Sequence, residues 1–248
     1  MSKIDFNQRR VLVTGAGQGI GRAIVDYLTS CNARIVAVDL AQESLNKLKQ
    51  DIPTADTLCV NLTDWNATEA ILNEYLENND VHHLVNNAGV TRLASVGKVP
   101  LKDIEFVFDV NVKSLINVTQ CVVNQMLKKN LQGSIVSISS QAGCIALKDH
   151  LVYAGSKGAL NTMTKVMALE LGQYNIRSNC ICPTVVNTAM AIQAWGEGDL
   201  AAEFKSKIPL QRFAEPIEIA QPVAFLLSDL SSMVTGIEMP VDGGYMCQ

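Results

Sequence analysis

Seven short runs rich in β-branched residues, 10–14, 34–39, 57–61, 81–86, 134–139, 176–182 and 237–240, recur along the chain and are separated by longer stretches with helical spacing. Strands that alternate with helices in this way predict an α/β fold. Several runs, Val11-Leu12-Val13 among them, are apolar on both faces, as parallel strands covered by helices on each side must be. Right-handed crossovers then wind the sheet doubly, so the expected architecture is a Rossmann-type, seven-stranded parallel sheet. No repeat or Pro/Ser-rich linker interrupts the pattern, which predicts one domain over 1–248. Only 185–213 breaks the rhythm, with Gly196-Glu197-Gly198-Asp199 and few strand formers. A long irregular insert that follows a strand lies at the ligand end of such a sheet, so 185–213 is expected to be a substrate lid.

Charge and composition exclude several other classes. The chain carries 20 Lys and Arg against 24 Asp and Glu, a net charge of −4, and its basic residues are scattered singly. A nucleic-acid partner, which needs a basic face, is not expected. The apolar runs fall short of the ~20 residues of a membrane span. The start lacks the apolar core of a secretory signal, and Met246-Cys247-Gln248 fits neither a prenylation nor a peroxisomal signal, which makes the cytosol the expected compartment. The seven cysteines form no Cys-x-x-Cys pair and are expected to be reduced thiols, mostly in the core. His82 and His83 are adjacent and so point to opposite faces of a strand, and His150 stands apart, so no metal site is expected.

The first strand runs directly into Thr14-Gly15-Ala16-Gly17-Gln18-Gly19-Ile20-Gly21 and then into a helical stretch. Glycines allow a ligand to approach the backbone closely, and the free N–H groups of a helix start attract phosphate. The spacing Gly-x-x-x-Gly-x-Gly differs from the Gly-x-Gly-x-x-Gly of larger dehydrogenases. Asp39 ends the second strand 18 residues after Gly21, where a carboxylate can accept hydrogen bonds from an adenosine ribose. It can equally end the strand and cap the next helix. A carboxylate there repels a 2′-phosphate, and Leu40 and Gln18 stand where an NADP binder ordinarily offers a cation, so the local chemistry favours NAD(H). The fourth run ends in Asn86-Asn87-Ala88-Gly89, whose amides can bond backbone and cofactor while Ala88 and Gly89 leave room for it.

Tyr153 and Lys157 open a helical pattern that continues to Leu171, and a spacing of four places them on one face, roughly 6 Å apart along the axis. A free tyrosine titrates near ~10, and a neighbouring ammonium favours its phenolate, which makes Lys157 a candidate tuner of Tyr153. Ser140 ends a strand 13 residues before the tyrosine.

Thr14 to Gly21, Asn86 to Gly89, Ser140, Tyr153 and Lys157, in that order, resemble the short-chain dehydrogenase/reductase family over nearly the whole chain. The resemblance implies NAD(P)-dependent carbonyl reduction, with Tyr153 as proton donor, Ser140 bonding the same oxygen, Lys157 tuning the tyrosine and holding a ribose, and Asn111 positioning a water. It implies a cofactor-facing set of Gly15, Gln18, Gly19, Ile20, Gly21, Asp39, Leu40, Asn61, Leu62, Asn87, Ala88, Gly89, Tyr153, Lys157, Val186 and Thr188. It also implies a homotetramer built through helices around 107–128 and 154–171.

Further runs, Arg9-Arg10, Asp64-Trp65, Ser139-Ser140-Gln141, 164–172 and Pro183-Thr184, are similar to the L-xylulose (dicarbonyl) reductase branch of that family. By that similarity Gln141, His150 and Trp195 line a substrate pocket together with Ser140 and Tyr153, and the expected substrates are L-xylulose and α-dicarbonyls such as diacetyl. Another carbonyl substrate, a 3-oxoacyl thioester or a steroid-like alcohol, is the alternative within enzymes. A non-enzymatic nucleotide sensor or structural subunit is the alternative outside them. Most relatives have Pro-Gly at Pro183-Thr184 and an Asp at Asn61. The branch generally uses NADPH through a basic pair that Gln18 and Asp39-Leu40 replace here, so residues and resemblance point to different cofactors.

Overall fold

The computed structural model describes residues 4–189, 191 and 198–247. Seven strands form one parallel sheet in the order β3-β2-β1-β4-β5-β6-β7. They are β1 Arg10–Thr14, β2 Arg34–Asp39, β3 Asp56–Cys59, β4 His83–Asn86, β5 Gly133–Ile138, β6 Ile176–Pro183 and β7 Glu238–Val241. All seven expected strands are present. β3 stops at Cys59, so Asn61 falls in the turn beyond it.

Val11 and Val13 face one helical layer while Leu12 faces the other, because successive strand side chains alternate. On the first side lie α1 (Gly19–Ser30), α2 (Gln42–Asp51) and α8 (Pro216–Leu227), which contribute Ile24, Leu45 and Val223 to the core. On the other side lie α3 (Trp65–Asn78) and α5 (Ser114–Lys128), with Leu72, Val118 and Met126 packed on the sheet. α6 (Leu151–Leu171) lies against β6 and carries Tyr153 and Lys157 in its first two turns, as expected.

The helical stretch 101–128 is not uniform. α4 (Leu101–Phe108) passes through a π-helical turn, Asp109–Lys113, before α5 begins. The whole stretch has the length and composition to cross a bilayer, which single-run counting overlooked, but half of its apolar window is packed inside the fold, as in a core helix.

The insert 185–213 is not irregular throughout. It contains α7 (Asp199–Ser206), and Ala201, Ile208 and Phe213 form a small core of their own with Val185, Phe204 and Tyr245. A parallel bridge from Val186 to Ala214 ties its base together.

His83 on β4 is fully buried beside Phe6, with ring centroids 5.5 Å apart, and neither of its ring nitrogens has a hydrogen-bond partner. Burial, then the charges of Arg9, His82 and Arg177, hold its pKa well below the ordinary value. The native imidazole therefore stays neutral while the unfolded chain binds a proton near ~6.5. Below that pH the unfolded state binds more protons and stability falls. His83→Leu is expected to flatten the pH dependence of urea unfolding between about pH 5 and 6.5, where the wild type loses at most about 1.4 kcal/mol per unit through this group. An unchanged slope in the variant overturns this assignment.

Candidate functional site

The strand order reverses between β1 and β4, and ligands of open α/β sheets bind beyond the strand ends at such a point. A cleft of about 770 Å³ opens there, lined from one end by Gln18, Asp39, Leu40 and Asn61 and from the other by Ser140, Tyr153 and Lys157.

The glycine loop is built by close contact. Gly15 and Gly19 have φ of +62° and +56°, the left-handed region where glycine carries no penalty. A Cβ on Gly21 would lie 2.0 Å from Gly15 O, so Gly21 closes the loop from behind. Asn87 splints the loop to β4, its Nδ2 donating to Thr14 O and Gly15 O at 3.0 Å each while its N–H donates to Thr14 Oγ1. α1 begins at Gly19 with neither a side-chain cap nor an acidic residue in its first turn, which leaves its N–H groups for an anion.

Asp39 ends β2 and ties the glycine loop to the turn that follows the strand, while α2 starts at Gln42 with no side-chain cap. Asp39 Oδ2 accepts from Gly17 N–H at 2.8 Å and its Oδ1 from Ala41 N–H at 3.0 Å, and each oxygen keeps a lone pair for a ribose hydroxyl. Arg22 offers Asp39 no compensation, because it pairs with Asp26 at 2.8 Å and Asp51 at 2.7 Å. Among the described residues lining the cleft, the only Lys or Arg is Lys157.

At the other end, Lys157 is 4% exposed and its Nζ donates to Ile138 O at 2.7 Å. Burial brings its pKa down to about 8. Its Nζ lies 5.8 Å from the Tyr153 ring centre. Burial raises the pKa of Tyr153, and a hydrogen bond with Ser140 partly offsets the rise. Desolvation thus acts on Tyr153 in the direction opposite to the expected pull of Lys157 toward phenolate. Ser140 Oγ also accepts from Ala142 N–H at 3.1 Å, which fixes it at the start of a 3-10 turn, Gln141–Gly143.

Asn111 sits in the π turn, where its Oδ1 accepts from Val90 N–H at 2.8 Å and its Nδ2 donates to Val90 O and to Ser156 Oγ, both at 2.9 Å. Both N–H groups of its carboxamide are spent inside the protein, and its side chain is absent from the cleft wall. Ser156 was missed from sequence; its place three residues after Tyr153 on the same helix was the available signal. Gln141 is 3% exposed, faces the cleft, and its Oε1 has no partner. Thr184 Oγ1, also on the cleft wall, has none either. His150 Nδ1 donates to Lys148 O at 2.5 Å, and its ring lies edge-on to Tyr153 with centroids 6.2 Å apart. Ile20, Leu62, Ala88, Gly89, Val186 and Thr188 line the cleft as expected. Trp195 lies outside the described residues.

The loop, the uncapped start of α1 and the Asp39 carboxylate make a donor and acceptor set that fits a nicotinamide dinucleotide. A neutral phenol bonded to a serine hydroxyl, beside unpartnered Gln141, can protonate and orient an oxygen of a small polar ligand.

Comparison with known proteins agrees with this geometry. A family model described as enoyl-(acyl carrier protein) reductase matches residues 15–246. L-xylulose reductase of Bos taurus is 45% identical over 238 residues, 96% of each chain. D-erythrulose reductase of Gallus gallus is 42% identical over 243 residues, 98% of each chain. Among solved structures, a gluconate 5-dehydrogenase from Burkholderia cenocepacia in complex with NADP and tartrate superposes with a TM-score of 0.94 at 26% identity, over 99% of this chain and 98% of the other.

Proposed function

The chain belongs to the short-chain dehydrogenase/reductase family and is an NAD(P)-dependent oxidoreductase, and on that premise we propose that it reduces L-xylulose to xylitol, accepts α-dicarbonyls such as diacetyl, and prefers NADH. The observation that carries the substrate reading is Gln141 Oε1, a buried acceptor without a partner on the cleft wall. An unpaired buried acceptor costs about 1–3 kcal/mol, which a donor hydroxyl of an open-chain sugar relieves. An acyl chain offers no such donor.

The dinucleotide, when bound, supplies the hydride. Tyr153 holds the proton that the substrate oxygen takes up, and burial keeps it there at neutral pH. Ser140 bonds the same oxygen and orients it. Lys157, anchored on Ile138 O, is placed to hold a ribose hydroxyl while keeping positive charge below the tyrosine. Asn111 is a positioning residue that fixes Val90 and, through Ser156, the first turn of α6.

L-Xylulose-dependent oxidation of NADH, with xylitol identified as product, is the test, and no turnover with either NADH or NADPH overturns the reading. Gln141→Leu is expected to raise KM for L-xylulose about tenfold and to leave that for diacetyl nearly unchanged. Equal effects on both substrates place Gln141 outside sugar recognition. A homotetramer in the cytosol belongs to the same reading. Val166 and Leu169 of α6 are exposed, Leu169 at 83%, an apolar face that a second copy would cover. A monomer mass in sedimentation equilibrium, or recovery from an organelle fraction, overturns the corresponding part.

A further inference from the structure

A second cluster lies where β6, β7, α6 and the turn after Ser140 meet. Cys144, at the end of that turn, and Cys182 on β6 hold their sulfurs 3.5 Å apart, and Cys144 Sγ is 3.5 Å from Glu238 Oε2 on β7. All three ligand atoms lie within 4.8 Å of one another. A tetrahedral zinc with bonds of about 2.3 Å to sulfur and 2.0 Å to oxygen has edges of about 3.7 Å between sulfurs and about 3.5 Å from sulfur to oxygen. The two edges at Cys144, 3.5 Å each, lie close to those figures, and the third, from Cys182 to Glu238, is no longer than 4.8 Å, so a small closing of the cluster completes the set.

The surroundings hold these atoms in place. Asn161 is buried, and its Oδ1 accepts from Ser139 Oγ at 2.6 Å, which fixes the amide so that Nδ2 donates to Glu238 Oε2 at 2.9 Å and Cys144 Sγ at 3.4 Å. Lys165 Nζ lies 2.6 Å from the other carboxylate oxygen, Oε1, and leaves Oε2 turned to the sulfurs. The cluster combines two soft sulfur ligands with a carboxylate, and Cys144 is exposed to solvent.

We propose that Cys144, Cys182 and Glu238 bind a thiophilic divalent cation of the zinc class, at a site separate from the dinucleotide cleft. Binding forms two metal–sulfur bonds and one metal–oxygen bond, releases the two thiol protons to solvent, and leaves the fourth position to water; no oxidation is involved. The ligands are 38 and 94 residues from Cys144 in sequence, so no ligand spacing reveals them. Because Cys144 ends the turn that carries Ser140 and Gln141, an occupied site also pins that turn.

The test uses the full chain, reduced and freed of metal by chelator. Cd²⁺ titration is expected to produce sulfur-to-cadmium charge-transfer absorption saturating at one equivalent, and Zn²⁺ to displace it with release of about two protons per ion taken up by the free site. Cys144→Ser is expected to weaken Zn²⁺ binding by roughly tenfold to a hundredfold or more and to remove most of the absorption. Glu238→Gln, which preserves volume where Cys182→Ser risks the core, is expected to weaken binding by roughly tenfold. Cys59→Ser and Cys247→Ser, at the other exposed thiols, leave it unchanged. No saturable absorption, full absorption in Cys144→Ser, or a Cys144–Cys182 disulfide formed in place of a retained ion each overturns the proposal.

Discussion

Tyr153→Phe is expected to lower kcat for carbonyl reduction by roughly 10²- to 10⁴-fold while dinucleotide binding, followed by fluorescence titration, stays nearly unchanged. The reason is positional. The phenol is the acid bonded to Ser140, and its raised pKa keeps it protonated at neutral pH. Among the described residues of the cleft wall, Lys157 donates to Ile138 O, and His150 donates its Nδ1 proton to Lys148 O. Ser140→Ala removes a hydrogen bond and not the acid, so its effect is smaller. The pH profile carries a second signature. Lys157 titrates at about 8, so kcat/KM of the free enzyme is expected to fall above about pH 8 as that charge is lost, and Lys157→Met is expected to abolish the limb together with most of the activity. Substantial reduction by Tyr153→Phe assigns proton transfer to another group and overturns the assignment.

The parallel sheet was legible because its strands are apolar on both faces, which only a layer of helices on each side can cover. The glycine loop and the Tyr153–Lys157 pair were legible because their geometry is local, one turn and one helical repeat. What escaped the sequence depends on contacts between distant residues or on backbone irregularity. A π turn adds one residue to a helical repeat and leaves no periodic mark, so the setting of Asn111 against Val90 and Ser156 appears only in three dimensions. The insert read as irregular because α7 is only eight residues long and buries its apolar side on Phe213, Ile208 and Tyr245, not on the main sheet. In the same way, a spacing of four reports that Lys157 is near Tyr153, but not that burial acts on both groups.

Wild-type kcat/KM with NADH is expected to exceed that with NADPH by roughly 10- to 100-fold. Two like unit charges about 4 Å apart repel by about 4 kcal/mol at an effective dielectric of 20, and Asp39 stands at the end of β2, where the adenosine ribose is expected. Leu40 beside it is 68% exposed, so solvent and salt screen part of that repulsion, leaving about 1.4–2.8 kcal/mol. The carboxylate cannot turn away, because Gly17 and Ala41 N–H groups hold its two oxygens. Asp39→Asn keeps one of those bonds and removes the charge, so it is expected to bring the two cofactors close to parity at the cost of a looser glycine loop. Asp39→Asn with Leu40→Arg adds a cation at an open position and is expected to invert the preference. Raising ionic strength should lower the NADH-to-NADPH ratio of the wild type and raise that of the double variant toward parity, a pair of opposite slopes that only a charge effect produces. A wild-type preference for NADPH overturns the argument at its root, since Arg22 is committed to Asp26 and Asp51 and, among the described cleft residues, only distant Lys157 is left to offset Asp39.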